Sequence, residues 1–165
     1  MLIFLSNAVW SQSVFDKFEN QEGVTALVVN KKMFSLLSEM DAKDVQSKSY
    51  KDLLKRLDNL KVFTTTNDNK SDEMKAAFDK HINSEAVEKL VHVNEKGKNV
   101  RIYVKPGTPN TQIKELFLFT EGSGSEESVL MSLIGNFKLN ELSLLTDKMK
   151  LPGREDLKKA SKANK

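Results

Sequence analysis

Apolar and polar residues alternate most cleanly along NVRIYVK, where Val100, Ile102 and Val104 point one way and Arg101, Tyr103 and Lys105 the other. That is the period of a strand with one buried and one solvated face. Three further strand-like segments accompany it between Lys89 and Phe137, and the connections between them carry turn signals. NEKG, Asn94 to Gly97, suits a type I turn with Gly97 supplying the positive φ of a bulge. PGTPN, Pro106 to Asn110, and EGSGSEE, Glu121 to Glu127, make the other two, and Gly135 closes the last strand. The pattern predicts an antiparallel four-strand meander on which the earlier chain packs.

Before the meander the period changes several times. Ser13 is a candidate N-cap for a short helix that turns Val14, Phe15 and Phe18 inward and ends at Gly23. VTALVVN, Val24 to Asn30, is β-branched and apolar on both faces, which predicts a strand in the sheet's interior. Met33, Leu36, Leu37 and Met40 form a helical stripe, predicting a helix over 31–40 with that stripe inward. Tyr50, Leu53, Leu54 and Leu57 predict another over 49–57, capped by Ser49 or Ser47, and Leu60 to Thr66 reads as a strand. Ser71 caps a helix over 71–83 with Met74, Ala77, Phe78, His81 and Ile82 on its inner face. A final helix over 138–148 sets Leu139, Leu142, Leu145 and Met149 on one side, until Pro152 and Gly153 stop it. The fold class that follows is α+β: a predominantly antiparallel sheet of five or six strands, helices on one face, and a C-terminal helix.

The last two meander strands break the alternation, because both of their faces are apolar. Leu116 and Leu118 oppose Phe117 and Phe119, and Leu130 and Ile134 oppose Val129, Met131 and Leu133. Such strands must be covered twice. The final helix is one cover. The alternative is a partner-binding patch of Leu116, Leu118, Leu130 and Ile134, taking an unknown envelope protein or a second subunit on the second sheet face.

Composition adds bounds. With 165 residues, 39% of them hydrophobic and 30% charged, the chain suits one globular domain with a core large enough to need no staples. It contains no cysteine, which excludes thiol nucleophiles, thiolate metal sites, disulfides and a lipobox anchor. The net charge of +3 lies in the tail: residues 150–165 carry +4 and the rest −1, so no chain-wide basic groove for nucleic acid is implied. That tail reads as a solvated, disordered end, whose removal from residue 154 onward should leave the thermal midpoint nearly unchanged. At the other end MLIFLSNAVWSQS is uncharged, opens with an apolar cluster and ends in small and polar residues, the signature of a signal peptide over residues 1–11. No Lys or Arg precedes that cluster, so either the signal is atypical or Met1 lies inside a longer reading frame; the competing reading is a buried N-terminal strand. A single domain over 12–149 follows. No stretch approaches the ~20 apolar residues of a membrane span.

Candidate chemistry is sparse. His81 lies on a helix stripe and His92 in a strand, with no HxxxH or HxH spacing. NDNKSDE from Asn67 is rich in oxygen donors, but Lys70 intrudes and the glycine of a calcium loop is missing. GSGS at Gly122 to Ser125 is not a nucleophile elbow, and no phosphate-binding glycine loop occurs. The acidic pairs Asp41 with Asp44 and Glu126 with Glu127 stand in polar loops. Arg101, Tyr103 and Lys105 on one strand face are weak candidates for an anionic polymer. No catalytic residue, metal or cofactor is implied.

Several blocks in order are nevertheless familiar: FDKFENQEGVTALVVNKKMF, LDNLKVFTT, NVRIYVK, IKELFLF and VLMSLIGNFKLNEL. From Phe15 to about Lys148 the chain resembles the bacterial family catalogued as domain of unknown function 4252. The resemblance implies a small exported envelope protein without an established activity, and gene neighbourhoods containing extracytoplasmic-function sigma factors. Some such relatives are lipoproteins, from which this cysteine-free chain departs. The expected function is a non-enzymatic periplasmic or secreted binding or sensory module. A hydrolase with a site near His81 or His92, and an anionic-polymer binder through Arg101, Tyr103 and Lys105, are the alternatives.

Overall fold

The structure, a computed structural model, describes residues 13–40, 46–109, 111–122 and 124–163. The segment read as a signal peptide, and the Asp41–Asp44 pair, lie outside these residues. Six strands, β1 (Thr25–Asn30), β2 (Leu57–Thr65), β3 (Glu88–Glu95), β4 (Lys98–Pro106), β5 (Ile113–Glu121) and β6 (Ser128–Phe137), form one sheet. Their order is β1-β2-β6-β5-β4-β3 and every pairing is antiparallel. The α+β class and the meander β3 to β6 are those that the alternation predicts. The turn between β3 and β4 differs in type: Lys96 and Gly97 both have positive φ, 51° and 78°, the geometry of a tight type I′ connection that suits the strands' twist.

The helices are α1 (Lys31–Glu39), α2 (Gln46–Lys55), α3 (Asp68–Ser84), α4 (Leu142–Met149) and α5 (Arg154–Ala163). They do not share one face. Register decides which sheet residues meet which helix. Val62, Met131, Leu118 and Ile102 form one cross-strand row on the first face, buried with Phe34 of α1, Leu53 and Leu54 of α2, Leu142 and Leu145 of α4, and Leu157 and Ala160 of α5. Phe63, Leu130, Phe119 and Phe117 lie on the second face, under Phe15, Phe18 and the α3 residues Met74, Ala77 and Phe78. The one-face expectation failed because it assigned Arg101 and Tyr103 to water, whereas α3 covers them.

Several local expectations change for physical reasons. Near Ser13 only a 3₁₀ turn forms, Asp16–Phe18, although the Ser13 Oγ accepts from the Phe15 N–H at 3.3 Å. The turn is pinned by Lys61 of β2, whose ammonium pairs with Asp16 and, at 3.1 Å, with Glu19. Leu57 belongs to β2 rather than to the helix before it, and α2 begins ahead of Ser47 and Ser49. The third helix starts earlier than Ser71, because the Asn67 side chain caps it by accepting from Lys70 N at 3.1 Å, so the NDNKSDE segment is a helix start. Gly135 lies inside β6, where a Cβ would stand 2.5 Å from the Arg56 carbonyl oxygen, so only glycine admits this approach. Arg56 then spans the same junction, with both Nη atoms on the Glu141 carboxylate at 3.0 and 2.6 Å and Nη1 also on the Asn136 carbonyl at 2.8 Å.

The basic tail is packed, not free. Lys150 takes the left-handed conformation (φ 52°) that ends α4, Leu151 enters the core, and α5 lays Leu157 and Ala160 on the first face. Charge is a poor guide here: Lys159 and Lys162 are exposed on the outer side of an amphipathic helix. The domain therefore runs past Met149. No described helix is long and apolar enough to cross a membrane. Leu157 is 1% exposed, so Leu157→Ala should cost about 2–4 kcal/mol and lower the thermal midpoint by roughly 5–15 °C. An unchanged midpoint on thermal denaturation would show that the segment is not part of the core.

Candidate interaction surface

Large apolar side chains that remain exposed are concentrated in one stretch. Among the described residues there are six of them, and all but Val93 lie between Leu27 and Met40: Leu27, Val28, Met33, Leu36 and Met40. The local structure explains why. Asn30 ends β1 and caps α1 directly, its side chain accepting from Met33 N at 3.0 Å, so strand passes to helix without a loop. The Lys31 ammonium fastens the first turn of α1 to the start of β2, donating to the carbonyls of Lys55 (2.9 Å) and Leu57 (3.2 Å) and pairing with Asp58 at 3.1 Å. Phe34 is fully buried, Leu37 is half-buried and Ser38 is buried, so these residues form the inner side of α1. With 34, 37 and 38 inward, helical spacing sends Met33, Leu36 and Met40 outward. Met33, Leu36 and Met40 are 48%, 50% and 63% exposed, the reverse of the inward stripe expected.

The strand corrects its expectation too. β1 is an edge strand, not an interior one, with only Val29 buried and Leu27 and Val28 about 40% exposed. Edges are usually blunted by charge, proline or a bulge. The opposite edge follows that rule: β3 carries Glu88, Lys89 and Glu95 and has an irregular register between Lys89 and Val91. β1, TALVVN, has no charge and no proline and pairs with β2 without a break. Beside it on the first face, a hollow of about 350 Å³ runs between Thr25, Leu27, Val62, Thr64 and the turn at Lys150 to Pro152.

The residues singled out from the sequence lie elsewhere. Leu116, Leu118 and Leu130 are fully buried and Ile134 half-buried, so they offer no patch. Nor do they share a face: Leu118 pairs with Met131 on the first, while Leu130 pairs with Phe119 on the second. α4 and α5, with α1 and α2, cover the first face, and α3 the other. Arg101 is committed internally, its Nη1 on Asp79 at 2.6 Å and its guanidinium 4.9 Å from the Phe78 ring centre. Tyr103 meets Phe78 edge-on at 5.9 Å and Lys105 pairs with Glu85 at 3.3 Å. These three do not form an open basic strip.

His81 and His92 belong to separate surroundings. The His81 ring packs between Phe15 and Phe117, with ring centres 5.1 and 4.4 Å away, and its Nε2 has no hydrogen-bond partner. His92 is exposed on the edge strand β3. Neither imidazole is hydrogen-bonded to a carboxylate or hydroxyl among the described residues, and no group of three His, Asp or Glu residues among them could hold a metal. Burial pushes the His81 imidazole below its usual value; Glu85 and Glu115 oppose this and Lys105 assists it. A second hollow, about 360 Å³, opens beside β3 over Val91, Val93 and Val100, with Lys96, Lys98, Lys159, Glu126 and Asp156 around it. Lys98 and Asp156 neutralise one another at 3.3 Å, and nothing in this hollow sets up bond chemistry.

Comparison with known proteins gives one match. The family described as domain of unknown function (DUF4252) matches residues 18–145. No curated protein and no solved structure matches the chain.

The environment of His81 yields a pH prediction. Its folded value is depressed, so unfolding takes up a proton once the pH drops below the free imidazole's 6.5. The stability involved is present above pH 6.5 and is lost as the pH falls from there through the lowered folded value. Glu73 and Glu141, also held below their ordinary value of 4.5, act only at lower pH. Thermal midpoints measured from pH 7.5 to 5 should therefore decline, and His81→Leu should flatten the decline. An equal slope in the variant would place the proton uptake elsewhere.

Proposed function

The chain belongs to the DUF4252 family of domains of unknown function, and from that premise we propose that it is a non-enzymatic protein-binding module whose working surface is the β1 edge with the outer side of α1. One observation carries the reading: a fold that buries both faces of its sheet leaves Leu27, Val28, Met33, Leu36 and Met40 exposed on one strand–helix unit, at an edge strand without protection. The partner that suits it is an extended, uncharged protein segment able to add a strand to β1 while apolar side chains cover Met33, Leu36 and Met40. Backbone pairing supplies affinity in such an arrangement, and the flexible methionines adapt to the side chains presented. Export to the envelope, with an accessory or sensory part in extracytoplasmic-function sigma signalling, belongs to this proposal as the family resemblance implies it. The hydrolase alternative has less support, since neither imidazole has a hydrogen-bonded partner among the described residues.

The test is a photoreactive residue at position 33 or 36 of the full chain in the native envelope. A discrete protein adduct should form, and Val28→Lys with Leu36→Glu should abolish it while leaving the thermal midpoint within a few degrees, since both side chains are exposed. Adducts unaffected by these substitutions, or histidine-dependent turnover of generic ester, phosphate or glycoside substrates that is lost in His81→Ala or His92→Ala, would refute the reading.

A further inference from the structure

The occupant of this edge can be narrowed from the strand's own symmetry. We infer that it is a second copy of this chain, paired antiparallel through β1 about a two-fold axis normal to the sheet, so that two six-stranded sheets become one. This rests on β1 and α1 being a docking surface, and it names the partner.

The geometry restricts how two copies can meet. A two-fold normal to the sheet maps each face onto itself, so paired residues must come from the same face, and their numbers must differ by an even amount. Centring the axis on Leu27 pairs that residue with its equivalent, Thr25 with Val29, and Ala26 with Val28. All these residues are uncharged, so the seam buries no unpaired charge. The same centring brings the Glu22 end of each copy towards Lys32 of the other. Glu22 and Lys32 are both exposed, and neither side chain has an ion pair or hydrogen bond among the described residues. Moving the axis to Val28 would pair Ala26 with Asn30 and carry Glu22 of each copy away from Lys32 of the other, so charge selects Leu27. Finally, α1 packs on the same face as Leu27, with Phe34 buried in the same core as Val29, Leu60 and Val62, the partner of Leu27. Faces are preserved by the axis, so both copies set Met33, Leu36 and Met40 on one side of the seam, where two apolar stripes can cover one another. The opposite edge has no such symmetry, since β3 is charged and irregular.

The chain has no cysteine, so Leu27→Cys introduces a single thiol at the proposed axis. Mild oxidation or a short bis-thiol crosslinker should convert this full-length variant to a covalent dimer, while Val93→Cys on the far edge should stay monomeric on a non-reducing gel. In sedimentation equilibrium the unmodified chain should be dimeric. Glu22→Lys should raise the dissociation constant about tenfold, two equivalent pairs being lost together, and Glu22→Lys with Lys32→Glu should restore it. A monomer throughout the accessible concentrations, crosslinking at position 93 rather than 27, or failure of the double reversal to rescue would overturn self-pairing. If the chain is monomeric yet the position 33 adduct with another protein is still abolished by Val28→Lys with Leu36→Glu, the docking surface stands and only the second copy is rejected.

Discussion

The structure depends on a sheet that is apolar on both faces. In β5 and β6 successive residues alternate between two hydrophobic environments instead of between core and water: Leu116 and Leu118 face aliphatic helices, and Phe117 and Phe119 face an aromatic layer. Each face needs its own cover, and the order of elements supplies it. The Asp16–Phe18 turn and α3 close the second face with Phe15, Phe18 and Phe78, while α1, α2, α4 and α5 close the first. Even Arg101 is drawn in, held between Asp79 and the rings of Phe78 and Phe119. Its side chain is 13% exposed and that of Asp79 42%, so the guanidinium sits at the margin of the second face, held by a carboxylate partner and ring faces to stack on.

Covering both faces leaves the two edges as the places where the sheet meets solvent through its backbone. They are treated differently. β3 is charged and irregular, the ordinary way for an edge to stay solitary, whereas β1 is short, uncharged, regular and followed at once by a helix that shows methionine and leucine to solvent. A monomer gains nothing from that arrangement. A chain that pairs through β1 gains backbone hydrogen bonds and covers the stripe in one step.

Much of this fold is legible in the residues, because period-2 alternation and turn chemistry are local properties. The meander is readable from NVRIYVK and its flanking turns, and helical spacing places Met74, Ala77 and Phe78 inward, where they are buried. Four features were not readable. VTALVVN looks like an interior strand because apolar residues on both faces mean burial, and the pattern cannot say whether the fold or a partner provides it. In α1 the stripe of four apolar residues outnumbers the side built on Phe34, yet one phenylalanine and the short link from Asn30 fix the orientation. The Arg101 face looks solvated until α3 is placed over it. In the tail, lysines mask Leu151, Leu157 and Ala160, whose spacing was the available signal. The candidate surface was therefore present in the sequence as two apolar blocks, but read as core.

Amide hydrogen exchange along Thr25 to Asn30, resolved residue by residue, tests the central claim most directly. In an antiparallel edge strand alternate N–H groups bond to the neighbour and the others point outward. If β1 is a docking edge, the outward set should also become protected under conditions where the chain associates, with slowed exchange extending to the amides of the exposed turns of α1. If the outward amides of β1 exchange as freely in the associated state as in a dilute sample, the edge is unoccupied and the account of β1 and α1 as the working surface is wrong.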